Sequence, residues 1–83
     1  MPTPINEILV DARGLEPPEP MERVMQTLDL LRPGQAIRLR LHREPFPLYP
    51  ILAERGYRHA TTMQSDGSYV ILITQLGTPG NDR

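Results

Sequence analysis

Apolar positions along the chain follow two different periods, and the alternation between them outlines the fold. Ile8-Leu9-Val10-Asp11-Ala12 is a short run rich in β-formers, preceded by prolines and followed by Gly14, and it predicts a strand. Met21, Val24, Met25, Leu28 and Leu31 then recur at helical spacing, with Glu22, Arg23, Gln26 and Asp29 on the opposite side, which predicts an amphipathic helix. Its start, Glu16-Pro17-Pro18-Glu19-Pro20, puts prolines where helical N–H groups lack partners and carboxylates at the positive end of the dipole. Pro33-Gly34 is expected to stop it. In Ala36-Ile37-Arg38-Leu39-Arg40-Leu41-His42 the period is strictly two: Ile37, Leu39 and Leu41 share one face, and Arg38, Arg40 and His42 the other.

A second, shorter helix is predicted over 47–55, with Leu48, Ile51 and Leu52 as its core stripe and Gly56 beyond its end. Arg58–Met63 and Tyr69–Thr74 read as a hairpin around Ser65-Asp66-Gly67-Ser68, in which Gly67 supplies the positive φ such turns need. The last strand is apolar on both faces and suits the sheet interior, whereas the third is polar and suits an edge. The order is therefore β-α-β-α-β-β. Right-handed crossovers place both helices on one face, giving a two-layer α/β (α+β) sandwich rather than a doubly wound sheet, because the arginines of the second strand need a wet or partner-covered face. Residues 6–76 are expected to form the single domain, with 1–5 and 77–83 as flexible ends.

Composition narrows the function classes. With 83 residues the domain buries only about 60% of its unfolded surface, and with no cysteine it has no disulfide, thiolate metal site or thiol catalysis, so its core must stand alone or gain area by self-association, as in a weak homodimer. Nine basic against ten acidic residues give no overall field for nucleic acid or an anionic membrane surface. Phe46 is the only phenylalanine, which leaves few stacking platforms for RNA. No apolar run approaches a membrane span, and Met1-Pro2-Thr3-Pro4 lacks the basic start of a secretion signal, so a cytoplasmic location is expected.

The segment Val10-Asp11-Ala12-Arg13-Gly14-Leu15-Glu16-Pro17-Pro18-Glu19-Pro20 resembles the TusA/SirA signature, in which a strand and an Asp-Ala-x-Gly-Leu turn lead into Cys-Pro-x-Pro at the first helix. Pro18, Glu19 and Pro20 fit it, and Pro17 stands in place of the sulfur-carrying cysteine. The resemblance covers nearly the whole domain. It implies the fold shared with the C-terminal domain of bacterial translation initiation factor three, with strand order 1-2-4-3, but not the carrier chemistry, which needs a thiolate at the helix start. Arg43-Glu44-Pro45-Phe46-Pro47-Leu48 is similar to a segment of a sister family of TusA-related bacterial domains of unknown function. Some of those relatives are fused to, or encoded near, hemerythrin-like or cupin domains and respiratory nitrogen-oxide genes.

Both helices begin where the first two parallel strands end, so a site is expected at the carboxyl edge of the sheet. There Arg13, Glu16 and Glu19 would face His42, Arg43, Glu44 and Tyr49. One reading is a pocket for a small polar or anionic ligand held by Arg13 or Arg43 and the helix N-termini; the other is that these arginines merely pair with the glutamates. Pro18 and Pro20 favour the second, since each removes a backbone donor. His42 and His59, with Glu44 or Glu54, have no known metal-ligand spacing and read as solvated side chains, and nothing sets Glu16 and Glu19 up as a catalytic pair. No cofactor or metal is expected. Arg38 and Arg40 share the open face with apolar side chains of the last strand, either Val70 and Leu72 or Tyr69, Ile71 and Ile73 according to register. That face is a contact surface, or one simply covered by arginine stems. The first expectation is a non-enzymatic module docking a protein partner or a second copy through this face. The second is a small-ligand or metal-binding domain at the carboxyl edge.

Overall fold

The structure, a computed structural model, describes residues 6–16 and 18–75; the expectations for 1–5, for Pro17 and for 76–83 lie outside the described residues. The elements are β1 (Asn6–Asp11), α1 (Glu19–Leu30), β2 (Gln35–Leu41), α2 (Leu48–Glu54), β3 (Tyr57–Met63) and β4 (Tyr69–Gln75). The sheet order is β1-β2-β4-β3, with β1 and β2 parallel and the other two pairings antiparallel. The two-layer α+β sandwich anticipated from the pattern is therefore present, with β4 inside and the polar β3 at an edge. Asp66 holds the hairpin by accepting bonds from the Ser68 N–H at 2.9 Å and the Ser68 hydroxyl at 2.6 Å, and Gly67 takes φ +88° as the turn requires.

The core lies between the sheet and both helices. Ile37, Leu39 and Leu41 of β2 and Ile71 and Ile73 of β4 meet Val24 and Leu28 of α1 and Leu48 and Leu52 of α2, with Val10 and Ala12 closing the β1 side. Leu39 stands in register with Val10 on one side and Ile71 on the other, and Ile37 with Ile8 and Ile73. Ile51, assigned to the α2 stripe by spacing, is only half-buried. Helix α1 ends at Leu30, earlier than Pro33-Gly34 suggests, because Leu31 is already extended (φ −72°, ψ 132°) and the following turn is closed by Gln35, whose side-chain oxygen accepts from the Arg32 N–H at 2.8 Å.

Among the described residues no layer covers the opposite face of the sheet. The register decides its composition: Arg38 stands beside Leu72 and Arg40 beside Val70, so the alternative with Tyr69, Ile71 and Ile73 is excluded and those three face the helices. Arg38 forms a two-pronged pair with Glu7 of β1, Nε to Oε1 at 2.8 Å and an Nη to Oε2 at 3.1 Å. Ala36, in register with Glu7, is buried beside that pair. Leu9, in register with Arg38, remains 59% exposed.

Candidate functional site

The strand ends and helix starts border an open cleft. After β1 the chain turns through Gly14 (φ +86°), where the Leu15 N–H reaches back to the Ala12 carbonyl at 3.2 Å, and this reversal brings Leu15 and Glu16 beside the start of α1. After β2, His42-Arg43-Glu44-Pro45 leads into α2. Between the two turns lies a cleft of about 780 Å³. Beneath it lie the buried Ala12, Val24, Leu39, Leu41 and Leu48; its accessible apolar sides are Leu15, Met21 and four prolines, Pro18, Pro20, Pro45 and Pro47. Glu16, His42, Arg43 and Glu44 supply the charged or titratable lining.

Of the residues expected at this edge, Glu16, His42, Arg43 and Glu44 do meet around one space, with Pro18 and Pro20 in its wall. Arg13, Glu19 and Tyr49 do not line it. Arg13 pairs with Asp11 rather than with Glu16 or Glu19: its backbone N–H donates to Asp11 Oδ1 at 3.2 Å, Nε to the same oxygen at 2.9 Å, and an Nη to Oδ2 at 2.8 Å. A partner two residues away needs almost no loop closure, so the local contact wins. Among the described residues Arg43 has no ion pair either, which corrects the expectation that it is tied to a glutamate. Glu19 is exposed, apart from Glu16 in the lining.

Tyr49 acts one layer behind the cleft. Its hydroxyl donates to Glu44 Oε2 at 2.9 Å and shares a 2.6 Å bond with Thr61 Oγ1 of β3. Its ring lies flat on His59, with centroids 3.8 Å apart and planes 4° from parallel, and meets Phe46 edge to face at 6.0 Å. His59 is thus a stacking partner of Tyr49, not merely a solvated histidine. The signal was available in β3, where Tyr57, His59 and Thr61 alternate onto the helix side. Among the described residues no group of three His, Asp or Glu side chains could hold a metal ion.

The helix starts do not offer an anion the donors the sequence position suggests. Pro18 and Pro20 have no N–H, while the Glu19 N–H is used by the Glu16 carbonyl at 2.9 Å and that of Glu22 by the Pro18 carbonyl at 3.1 Å. At α2, Leu48 N–H is used by the Pro45 carbonyl and Tyr49 N–H by the Phe46 carbonyl, and Pro50 has none. The resulting cavity is a hydrophobic one with a charged mouth.

The Asp11–Arg13 pair has a measurable signature. The Arg13 guanidinium and backbone N–H lower the Asp11 carboxyl from 3.8 to about 2. Because the folded value lies below the unfolded one, the pair's stabilisation is complete above about pH 4 and is lost as pH falls toward 2. Carboxyl-carbon NMR titration is expected to place Asp11 well below the ordinary aspartate value of 3.8, and Arg13→Ala to return it toward 3.8; an Asp11 value unmoved by that change would disprove the assignment.

The architecture is that of the SirA-like proteins. The crystal structure of a SirA-like protein from Desulfitobacterium hafniense matches with a TM-score of 0.73 and 19% identity, over 83% of this chain and 97% of that one. The sequence belongs to the family described as Uncharacterized conserved protein (DUF2249), which matches over residues 9–75. That span includes both turns of the cleft. No curated protein matches the sequence. No helix among the described residues is long and apolar enough to cross a membrane.

Proposed function

We propose that this domain is a non-enzymatic binding module whose carboxyl-edge cleft takes a small ligand with an apolar body. The cleft itself carries the reading: about 780 Å³, with apolar sides of Leu15, Met21 and four prolines above the buried core, falls in the range of roughly 300–1,000 Å³ typical of ligand sites. A thiol carrier role is set aside because the chain contains no cysteine, and general acid-base catalysis by Glu16 and Glu19 because only Glu16 reaches the cleft. The ligand reading displaces the sheet-face module from first place. A well-formed concave surface is stronger support than an open face whose Arg38 is already joined to Glu7. Docking of a protein partner or second copy on that face keeps one supporting observation, the exposed Leu9 in register with Arg38.

The test uses 1-octanol as a neutral, apolar-bodied probe. Titrated into labelled protein, it is expected to shift the amide signals of Ala12, Leu15 and Leu48 and to leave those of the open face, such as Ala60 and Thr62, in place. Met21→Trp puts a larger side chain on the cleft wall and is expected to abolish the shifts. Absence of shifts in the wild type, or their survival in Met21→Trp, would overturn the proposal.

A further inference from the structure

The polar groups at the mouth of the cleft are unequal, and the inequality points to a class of ligand. Glu44 is half-buried and held: the Thr61 hydroxyl and the Tyr49 hydroxyl form a short chain, at 2.6 and 2.9 Å, that ends on Glu44 Oε2, while stacking on His59 fixes the tyrosine ring. Tyr49 has one hydroxyl proton. With that proton given to Glu44, the Thr61 hydroxyl donates to the tyrosine oxygen, so all three groups are oriented in one direction. The bond to Oε2 therefore anchors the carboxylate of a cleft-lining residue and restricts its motion before any ligand arrives.

The arginine and histidine side chains are not held in this way. Arg43 and His42 are exposed, and among the described residues no ion pair fixes Arg43. Ordering a free arginine around a ligand costs side-chain entropy that Glu44 has largely met on folding. A second carboxylate, Glu16, lies in the same lining. The backbone donors that would favour an anion are missing at Pro18 and Pro20 or already used at Glu19, Leu48 and Tyr49.

We infer that the ligand of this cleft is a small hydrophobic amine, with its hydrocarbon body against Leu15, Met21 and the flanking prolines and its ammonium group on the Glu44 carboxylate. This rests on the reading of the cleft as a ligand site. The experiment separates the two. Octylammonium, 1-octanol and octanoate have the same chain length and differ in head group, and each is titrated separately while the cleft amides are followed by NMR. Octylammonium is expected to bind about tenfold more tightly than 1-octanol, the effect of one charge-assisted hydrogen bond, and octanoate most weakly. Glu44→Gln is expected to remove the amine's tenfold advantage over 1-octanol, and amide signals of the sheet unchanged from the wild type show that the variant is folded. An octanoate affinity equal to or above that of octylammonium, or an amine preference that survives Glu44→Gln, overturns the inference. So does 1-octanol binding with no amine preference, which leaves the ligand site itself standing. If none of the three probes shifts the cleft amides, the ligand site falls and the inference falls with it.

Discussion

Ile73→Ala is expected to destabilise the domain by about 2–5 kcal/mol and to lower its melting temperature by roughly 10–30 °C. Ile73 is wholly buried on the central strand β4, in register with the equally buried Ile37 of β2. Truncation removes three methyl or methylene carbons from a site bounded by backbone on two sides, so little of the cavity can collapse. A domain of this size has a total stability of roughly 4–12 kcal/mol, and the loss is a large part of it. The control is one residue away. Leu72 points to the open face and is half-exposed, so Leu72→Ala is expected to cost less than about 1 kcal/mol. Urea denaturation of both variants decides the matter. Equal losses, or a larger one at Leu72, would mean that the open face is covered in solution by another molecule and that the single-layer burial described above is incomplete.

The contrast between neighbouring residues was legible in the sequence because strand faces repeat every two residues. Strict alternation in Ile37-Arg38-Leu39-Arg40-Leu41 marks a sheet with one wet side, and the two-sided apolar character of Tyr69–Thr74 marks the inner strand. Asp66-Gly67 marks the hairpin. The cleft was legible only in part. Its charged lining follows from topology, since any β-α-β-α arrangement brings the ends of β1 and β2 together. Its apolar sides do not, because Met21 reads in the linear pattern as one more residue of the helix's core stripe. The cleft opens above the buried Leu39 and Leu48 from the spacing of two proline-bound helix starts, which is a tertiary property. The partner of Arg13 was missed for another reason. Asp11 shares the open face with Leu9, and side-chain direction at the strand end, rather than charge alone, selects it over Glu16 and Glu19.

Tyr49→Phe is expected to cost about 1–2 kcal/mol, more than any surface ion pair in the domain, because one hydroxyl serves two partners. The phenylalanine ring retains the stack on His59 and the edge contact with Phe46, so the loss measures the hydroxyl alone. Glu44 and Thr61 are half-buried, and water can replace only part of what they lose. The pH dependence supplies an independent check. Burial raises the Tyr49 hydroxyl above 10.0, and the neighbouring Glu44 carboxylate acts in the same direction against a lowering by the Thr61 bond. Since the folded value exceeds the unfolded one, this hydroxyl's stabilisation is complete below about pH 10 and is lost as pH rises beyond it. The chain contains no lysine, so few other side chains titrate in that window. Wild-type stability is therefore expected to fall more steeply than that of Tyr49→Phe in the alkaline range. Parallel alkaline limbs for the two proteins, together with a loss below about 0.5 kcal/mol at neutral pH, would show that the hydroxyl does not hold Glu44, and the acceptor at the cleft mouth would then lose its anchor.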